Sequence, residues 1–211
     1  MMIFRPAINL VRQYGLSFAL INLAYFGFVC GGMAYGAWDR EVNDAYKSEV
    51  RQQAADSLPA VFDAYHGGHV AKAIGLTFAI NLLAGSFLFL TLPSFIVPFS
   101  GLLLGGVRAL TWGYVVSPTF SAFNGAVLAY GLLVGLLVVL EGEGYVLAML
   151  GSYVHGKSLL FPRSAGATTR WQGYKLGAKW SLQLYALVAA VLLVAAVYEV
   201  GMVVYLMPLV R

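Results

Sequence analysis

The sequence predicts an all-α, polytopic membrane protein with about five transmembrane helices, and three observations point there. Hydrophobic residues make up 60% of the 211-residue chain, charged residues only 10%, and the mean hydropathy is +0.78, far from the values of water-soluble domains. The few charges are clustered, which leaves apolar windows of about 20 residues, the length that crosses roughly 30 Å of hydrocarbon. Nothing alternates with a period of two, so a barrel is excluded and the windows must be helices, which satisfy their own backbone groups inside lipid.

The elements follow in order. MMIFRPAINLVRQYG sets Arg5 and Arg12 among apolar residues, the pattern of a short interfacial helix over residues 1–14. A first span runs from Gly15 to Trp38 and holds Gly27-x-x-x-Gly31 and Gly32-x-x-x-Gly36, small-residue faces for close helix contact. No small-residue cleavage site follows a short apolar core, so this window reads as a span and not as a cleaved signal. Residues 39–72 are the one long hydrophilic stretch. Val42, Tyr46, Val50, Ala54 and Leu58 recur there every four residues, with Arg40, Asp44, Lys47 and Arg51 off the stripe, which makes an amphipathic helix. Ser57 and Pro59 mark a break and restart, and Gly67-Gly68 a turn.

Charge sets the sidedness. The stretch 39–72 holds six of the nine acidic residues, whereas 157–179 carries Lys157, Arg163, Arg170, Lys175 and Lys179 without one. The positive-inside rule then puts the N-terminus and the basic loop 157–179 in the cytoplasm, and the amphipathic stretch outside. Spans at 15–38, 73–92, 95–116, 122–140 and 180–207 satisfy that parity. A bent or re-entrant unit over 73–107, followed by crossings at 122–140 and 144–160, satisfies it too. The five-span reading is preferred, with a bundle over 73–156 whose helices break near 93–98, at Pro93 and Pro98, and near 141–144, at Gly142 and Gly144. Trp38, Trp112 and Trp180 fall near the ends of these spans, as an aromatic belt does.

Four ionisable groups lie in or beside apolar runs: Arg108, Glu141, Glu143 and Glu199. Each costs about 3 kcal/mol at the bilayer centre unless paired, hydrated or near an interface. Arg108 is the one basic group at comparable depth and is expected to pair with Glu141, Glu143 or Glu199. For Glu141-Gly142-Glu143-Gly144 three readings stay open: an interfacial loop, a buried structural pair, or a transport or proton site. Two carboxylates two residues apart do not share a helix face, which argues against an acid–base dyad. Glu199, inside LVAAVYEVGMVVYLM, is the stronger candidate for a buried charge.

Little else points to chemistry. His66-Gly-Gly-His69 offers two imidazoles without a third ligand at a recognisable spacing, so no metal is expected; His155 reads as interfacial. Gly156-Lys157-Ser158 lacks the upstream glycine and preceding strand of a phosphate-binding loop. Cys30 is the single cysteine, so there is no disulfide framework. No Ser/His/Asp set is readable, and neither an enzyme nor a cofactor is expected. The formal charge of +4 is a matter of sidedness and does not indicate nucleic acid. The expected helix-packing positions are Gly27, Gly31, Gly32, Gly36, Asn81, Gly85, Gly101 and Gly105.

FAINLLAGSFLF places Asn81 and Gly85 on an apolar span, FSGLLLGG supplies Gly101 and Gly105, LEGEGYVLAMLGSY brings Glu141 and Glu143, and LVAAVYEVGMVVYLMP carries Glu199 and Pro208. This ordered layout, over about residues 15–208, resembles the stage II sporulation protein M family of bacterial and archaeal membrane proteins. That family runs through an N-terminal span, an external amphipathic loop, an Asn-bearing span, a Gly-rich middle, a Glu-containing box and a final span with an Ala-Ala-x-x-Glu pattern. Its Pro-His-Gly before the box glutamate is absent here, so that glutamate corresponds to either Glu141 or Glu143. The resemblance implies a non-catalytic scaffold or accessory subunit of a larger complex in a bacterial or archaeal cell membrane. Membrane lipid and other membrane or envelope proteins would be its partners, with a homo-oligomer as a further arrangement. The alternative is a small ion or solute transporter or channel using Glu141, Glu143 and Glu199 as intramembrane ligands.

Overall fold

A computed structural model describes residues 4–117 and 127–210, which are helical with no strand among them. α1 (Arg5–Gln13) leads into α2 (Gly15–Trp38), α3 (Arg40–Ser57) and α4 (Pro59–His66). Gly68, at φ 68°, makes the turn into α5 (Val70–Ile96). α6 (Ser100–Val115), α7 (Val127–Leu160) and α8 (Arg170–Leu206) follow. Among the described residues four helices, α2, α5, α7 and α8, are long and apolar enough to cross a membrane. α6 has 16 residues and rises roughly 24 Å, short of that measure.

α7 is the central post. In its most apolar window 61% of residues are buried, against 22% to 33% in the other three long helices, so those three wrap around it. At one end of the bundle α1 packs on α8, and Tyr14 meets Tyr153 edge-on at 6.2 Å. The Lys157 ammonium lies over both rings, 5.3 and 5.8 Å away. Arg5, Arg12, Lys157, Arg163, Arg170, Lys175 and Lys179 all belong to this end, with no acidic residue among its segments 4–14 and 157–179. At the opposite end α3 and α4 lie over α5, α6 and the end of α8. The contact of α3 is polar. Asn43, fully buried, donates its amide to Tyr114 O (2.8 Å) and Lys47 donates to Ser117 O (2.6 Å), so both side chains satisfy carbonyls at the C-terminal end of α6. The expected apolar stripe of α3 is only partly used, with Val42 59% exposed while Tyr46 rests against Tyr114 at 5.5 Å.

Close approaches explain most of the glycines. α2 and α6 run parallel and nearly touch: a Cβ at Gly32 would collide with Leu110 O, and one at Gly113 with Val29 O. Gly36 faces Asn43 and Ser117, Gly101 faces Ser94 and Ser152, and Gly105 faces Met149. Gly27 and Gly31, expected to pack as well, point the other way. Gly27 has open space around it, and a Cβ at Gly31 would reach only Leu110 Cδ1, at 4.0 Å.

Several expected boundaries move. α5 continues to Ile96 through Pro93, and Ile80–Thr91 within it is π-helical. The chain breaks at Val97–Phe99. Pro98 keeps Val97 extended (φ −115°, ψ 109°), and Phe99 adopts a left-handed φ of 66°. Its ring fills a notch at Gly156, where a Cβ would come within 2.7 Å of Phe99 Cδ1. The expected span 122–140 begins in residues 118–126, outside the described ones. It does not stop at 140, because α7 runs unbroken through Glu141–Gly144 to Leu160, leaving neither a discontinuity there nor a separate crossing at 144–160. Packing supplies the reason. Gly142 admits the Tyr25 and Phe26 rings and Gly144 admits Leu192, contacts that outweigh the roughly 1 kcal/mol each glycine costs a helix.

The basic loop also shrinks. α7 extends into it, and α8 begins at Arg170, ten residues ahead of the expected 180. Thr169 caps α8 by accepting from Gln172 N–H (3.2 Å), while Gln172 Oε1 accepts back from Thr168 N–H (3.0 Å), a reciprocal arrangement close to a capping box. Gly173 and Gly177 then let α8 close on Ser158 and His155 of α7.

Candidate functional site

A chain of polar side chains crosses the apolar interior at mid-height of α7. Glu141 and Tyr145 stand one turn apart on one face of that helix, 4% and 0% exposed. Glu141 Oε1 accepts from Asn81 Nδ2 at 2.7 Å, and Asn81 Oδ1 accepts from the Tyr145 hydroxyl at 3.1 Å. Tyr145 Oη in turn accepts from Arg108 Nη2 at 2.6 Å. The guanidinium also lies 4.1 Å from the centre of the Tyr145 ring, a cation–π contact. Gly85 leaves room for this crossing, since a Cβ there would sit 3.1 Å from Tyr145 Oη and 3.3 Å from Arg108 Nη2. Asn81 and Gly85 both lie on the π-helical stretch of α5, an irregularity that frequently accompanies functional positions.

At the other side of Glu141 lies the neighbouring carboxyl of Glu199 from α8. Glu199 Oε1 accepts from the Tyr65 hydroxyl of α4 at 3.2 Å, and Tyr65 Oη shares a second hydrogen bond with Thr77 Oγ1 at 3.0 Å. Burial first, and then the nearby Glu199 carboxylate, push the Tyr65 phenol above its ordinary pKa, so it stays a donor. The amphipathic stretch 39–72 thus folds back through α4 and covers Glu199. A cleft of about 660 Å³ reaches Glu199 between α3, α4 and the end of α8, with Arg51 and His66 among its lining. A second cleft, of about 330 Å³, reaches Arg108 beside Tyr46, Val50 and Phe89. The polar chain therefore runs between two openings, both bordered by α3.

The expected ion pair is not formed. Arg108 does not close on Glu141, Glu143 or Glu199; it reaches Glu141 only through Tyr145 and Asn81. Glu143 points to the opposite face of α7, toward Asn22 of α2. One group is left over: the Tyr25 hydroxyl is fully buried without a hydrogen-bond partner among the described residues, in the field of Arg108 and Glu141. Charge patterning found Arg108, Glu141 and Glu199. It missed Tyr25, Tyr65, Thr77 and Tyr145, whose only signal was the spacing of Tyr145 four residues after Glu141.

His66 bonds its own helix, Nδ1 to Phe62 O at 2.8 Å. His155 is fully buried, edge-on to Phe95 and Tyr174. No group of three His, Cys, Asp or Glu side chains that could hold a metal ion occurs among the described residues. No family profile, curated protein or solved structure matches the chain.

Proposed function

We propose that this is a multi-pass membrane protein of five crossings, α6 included, with its basic end cytoplasmic, working as a non-catalytic subunit of a larger complex in a bacterial or archaeal cell membrane. The outer face of α2 carries this reading. Ala24, Gly27, Gly31 and Ala34 are exposed on it, while Gly32 and Gly36 already serve the contact with α6. A small-residue face turned outward lets a second helix approach closely, and in lipid such packing replaces the hydrophobic drive. The motif order that resembles the stage II sporulation protein M family supports the same role. Gly27→Leu meets open space and Gly31→Leu only an ordinary contact with Leu110, so in the double variant stability in detergent should hold while a stoichiometric partner is lost on purification. A partner retained at full stoichiometry would refute the reading.

The polar chain favours a second reading, a cation or proton pathway. Two neighbouring carboxyls, Glu141 and Glu199, hold a proton or cation between them because neither carboxylate offers a donor. Here Glu199→Gln in proteoliposomes should abolish ion flux. Flux unchanged by that substitution removes the reading.

A further inference from the structure

α8 emerges at the basic end with Lys175 and Lys179 one turn apart on one face. With Tyr174, Ala178, Leu182 and Gln183 they form a shallow, open groove between two side-chain rows of α8 itself. Trp171 stands beside it, 62% exposed, stacked on Tyr174 at 5.3 Å and 14° and carrying the Lys175 ammonium 5.1 Å from its ring. Like charges at this spacing repel each other, and this end of the bundle has no acidic residue to neutralise them, so their counter-charge comes from outside the chain. The groove also changes character along its length. Both lysines precede the half-exposed Leu182, which continues the groove one turn further toward mid-bundle.

Charge first and apolar surface next is the order of a phospholipid met from the water side, and an exposed Trp beside it suits the headgroup level. We propose that this groove binds an anionic phospholipid of the bilayer, its phosphate between Lys175 and Lys179 and its first acyl segment over Leu182. The proposal rests on the reading of the chain as membrane-spanning.

The test reconstitutes the full chain in phosphatidylcholine vesicles containing a minor fraction of phosphatidylglycerol, confirms insertion by flotation, and counts retained lipid by native mass spectrometry from mild detergent. Phosphatidylglycerol should be enriched. Lys175→Gln with Lys179→Gln should cut that enrichment about 25-fold, two cationic contacts of roughly fivefold each. Lys175→Arg with Lys179→Arg should keep it, and so should Arg163→Gln with Arg170→Gln, which removes equal charge from the same end but outside the groove. Circular dichroism checks that the variants are folded. The preference of the unaltered chain and its resistance to inorganic phosphate judge the groove whatever the variants do. Equal loss in both Gln pairs, no preference for phosphatidylglycerol, or its displacement by inorganic phosphate would each overturn the lipid site. A chain that fails to float with the vesicles overturns the membrane-spanning reading itself.

Discussion

Tyr145 joins the two halves of the buried polar chain, accepting from Arg108 and donating to Asn81. Tyr145→Phe removes both contacts and keeps the ring, and should cost about 1–2 kcal/mol in a detergent unfolding titration, the scale of interhelical hydrogen bonds in membranes. Arg108→Leu should cost less on top of Tyr145→Phe than it does alone, since the hydrogen bond is shared and only the cation–π contact with the ring is left to lose; fully additive losses would refute the hydrogen bond. At this scale the sequence was half legible. Arg108, Glu141 and Glu199 stand out as charges in apolar runs, so their importance shows without a structure. What pairs with them does not, because the partners are neutral phenols and an amide, and Tyr and Asn are as ordinary at a helix surface as in a network. Counting opposite charges pointed to an ion pair, whereas the fold solves the same desolvation problem by relaying one charge to the other through Tyr145 and Asn81.

Among the elements, α7 shows why glycine is ambiguous in a sequence. Glu141-Gly142-Glu143-Gly144 carries the composition of a joint, yet both glycines sit where another helix needs room, and the helix continues. Gly144→Leu should therefore destabilise the protein by about 1–3 kcal/mol, the usual cost of overpacking, by driving into Leu192. Leu192→Ala should restore part of that loss in the double variant. A tolerated Gly144→Leu would mean that α7 and α8 are not in contact there. Hydropathy located the cores of α2, α5, α7 and α8 because burial in lipid needs apolar side chains at every turn. It misplaced the ends of α7 and α8, since Lys and Arg with long apolar stems stay helical on a packed hairpin, and Gly173 and Gly177 supply that packing. The π-helical stretch of α5 had no sequence signature, and it is where Asn81 turns toward Glu141.

For the whole molecule, the arrangement of ends is testable without any partner. In a Cys30→Ala background, Gln52→Cys on α3 should react with a membrane-impermeant maleimide on intact cells, and Ser164→Cys at the basic end only after lysis. The reverse pattern would invert the topology, and equal labelling of both would place the two ends on one side. The helices themselves run so that α1, the α7–α8 connection and the α5–α6 break lie together, opposite α3 and α4. Collecting seven basic residues at one end has a further, electrical consequence. In a membrane held at 100 mV, negative on the basic side, turning the bundle over would drag each of those charges uphill by about 2.3 kcal/mol. A potential of that sign would thus hold the bundle in this orientation without help from any partner.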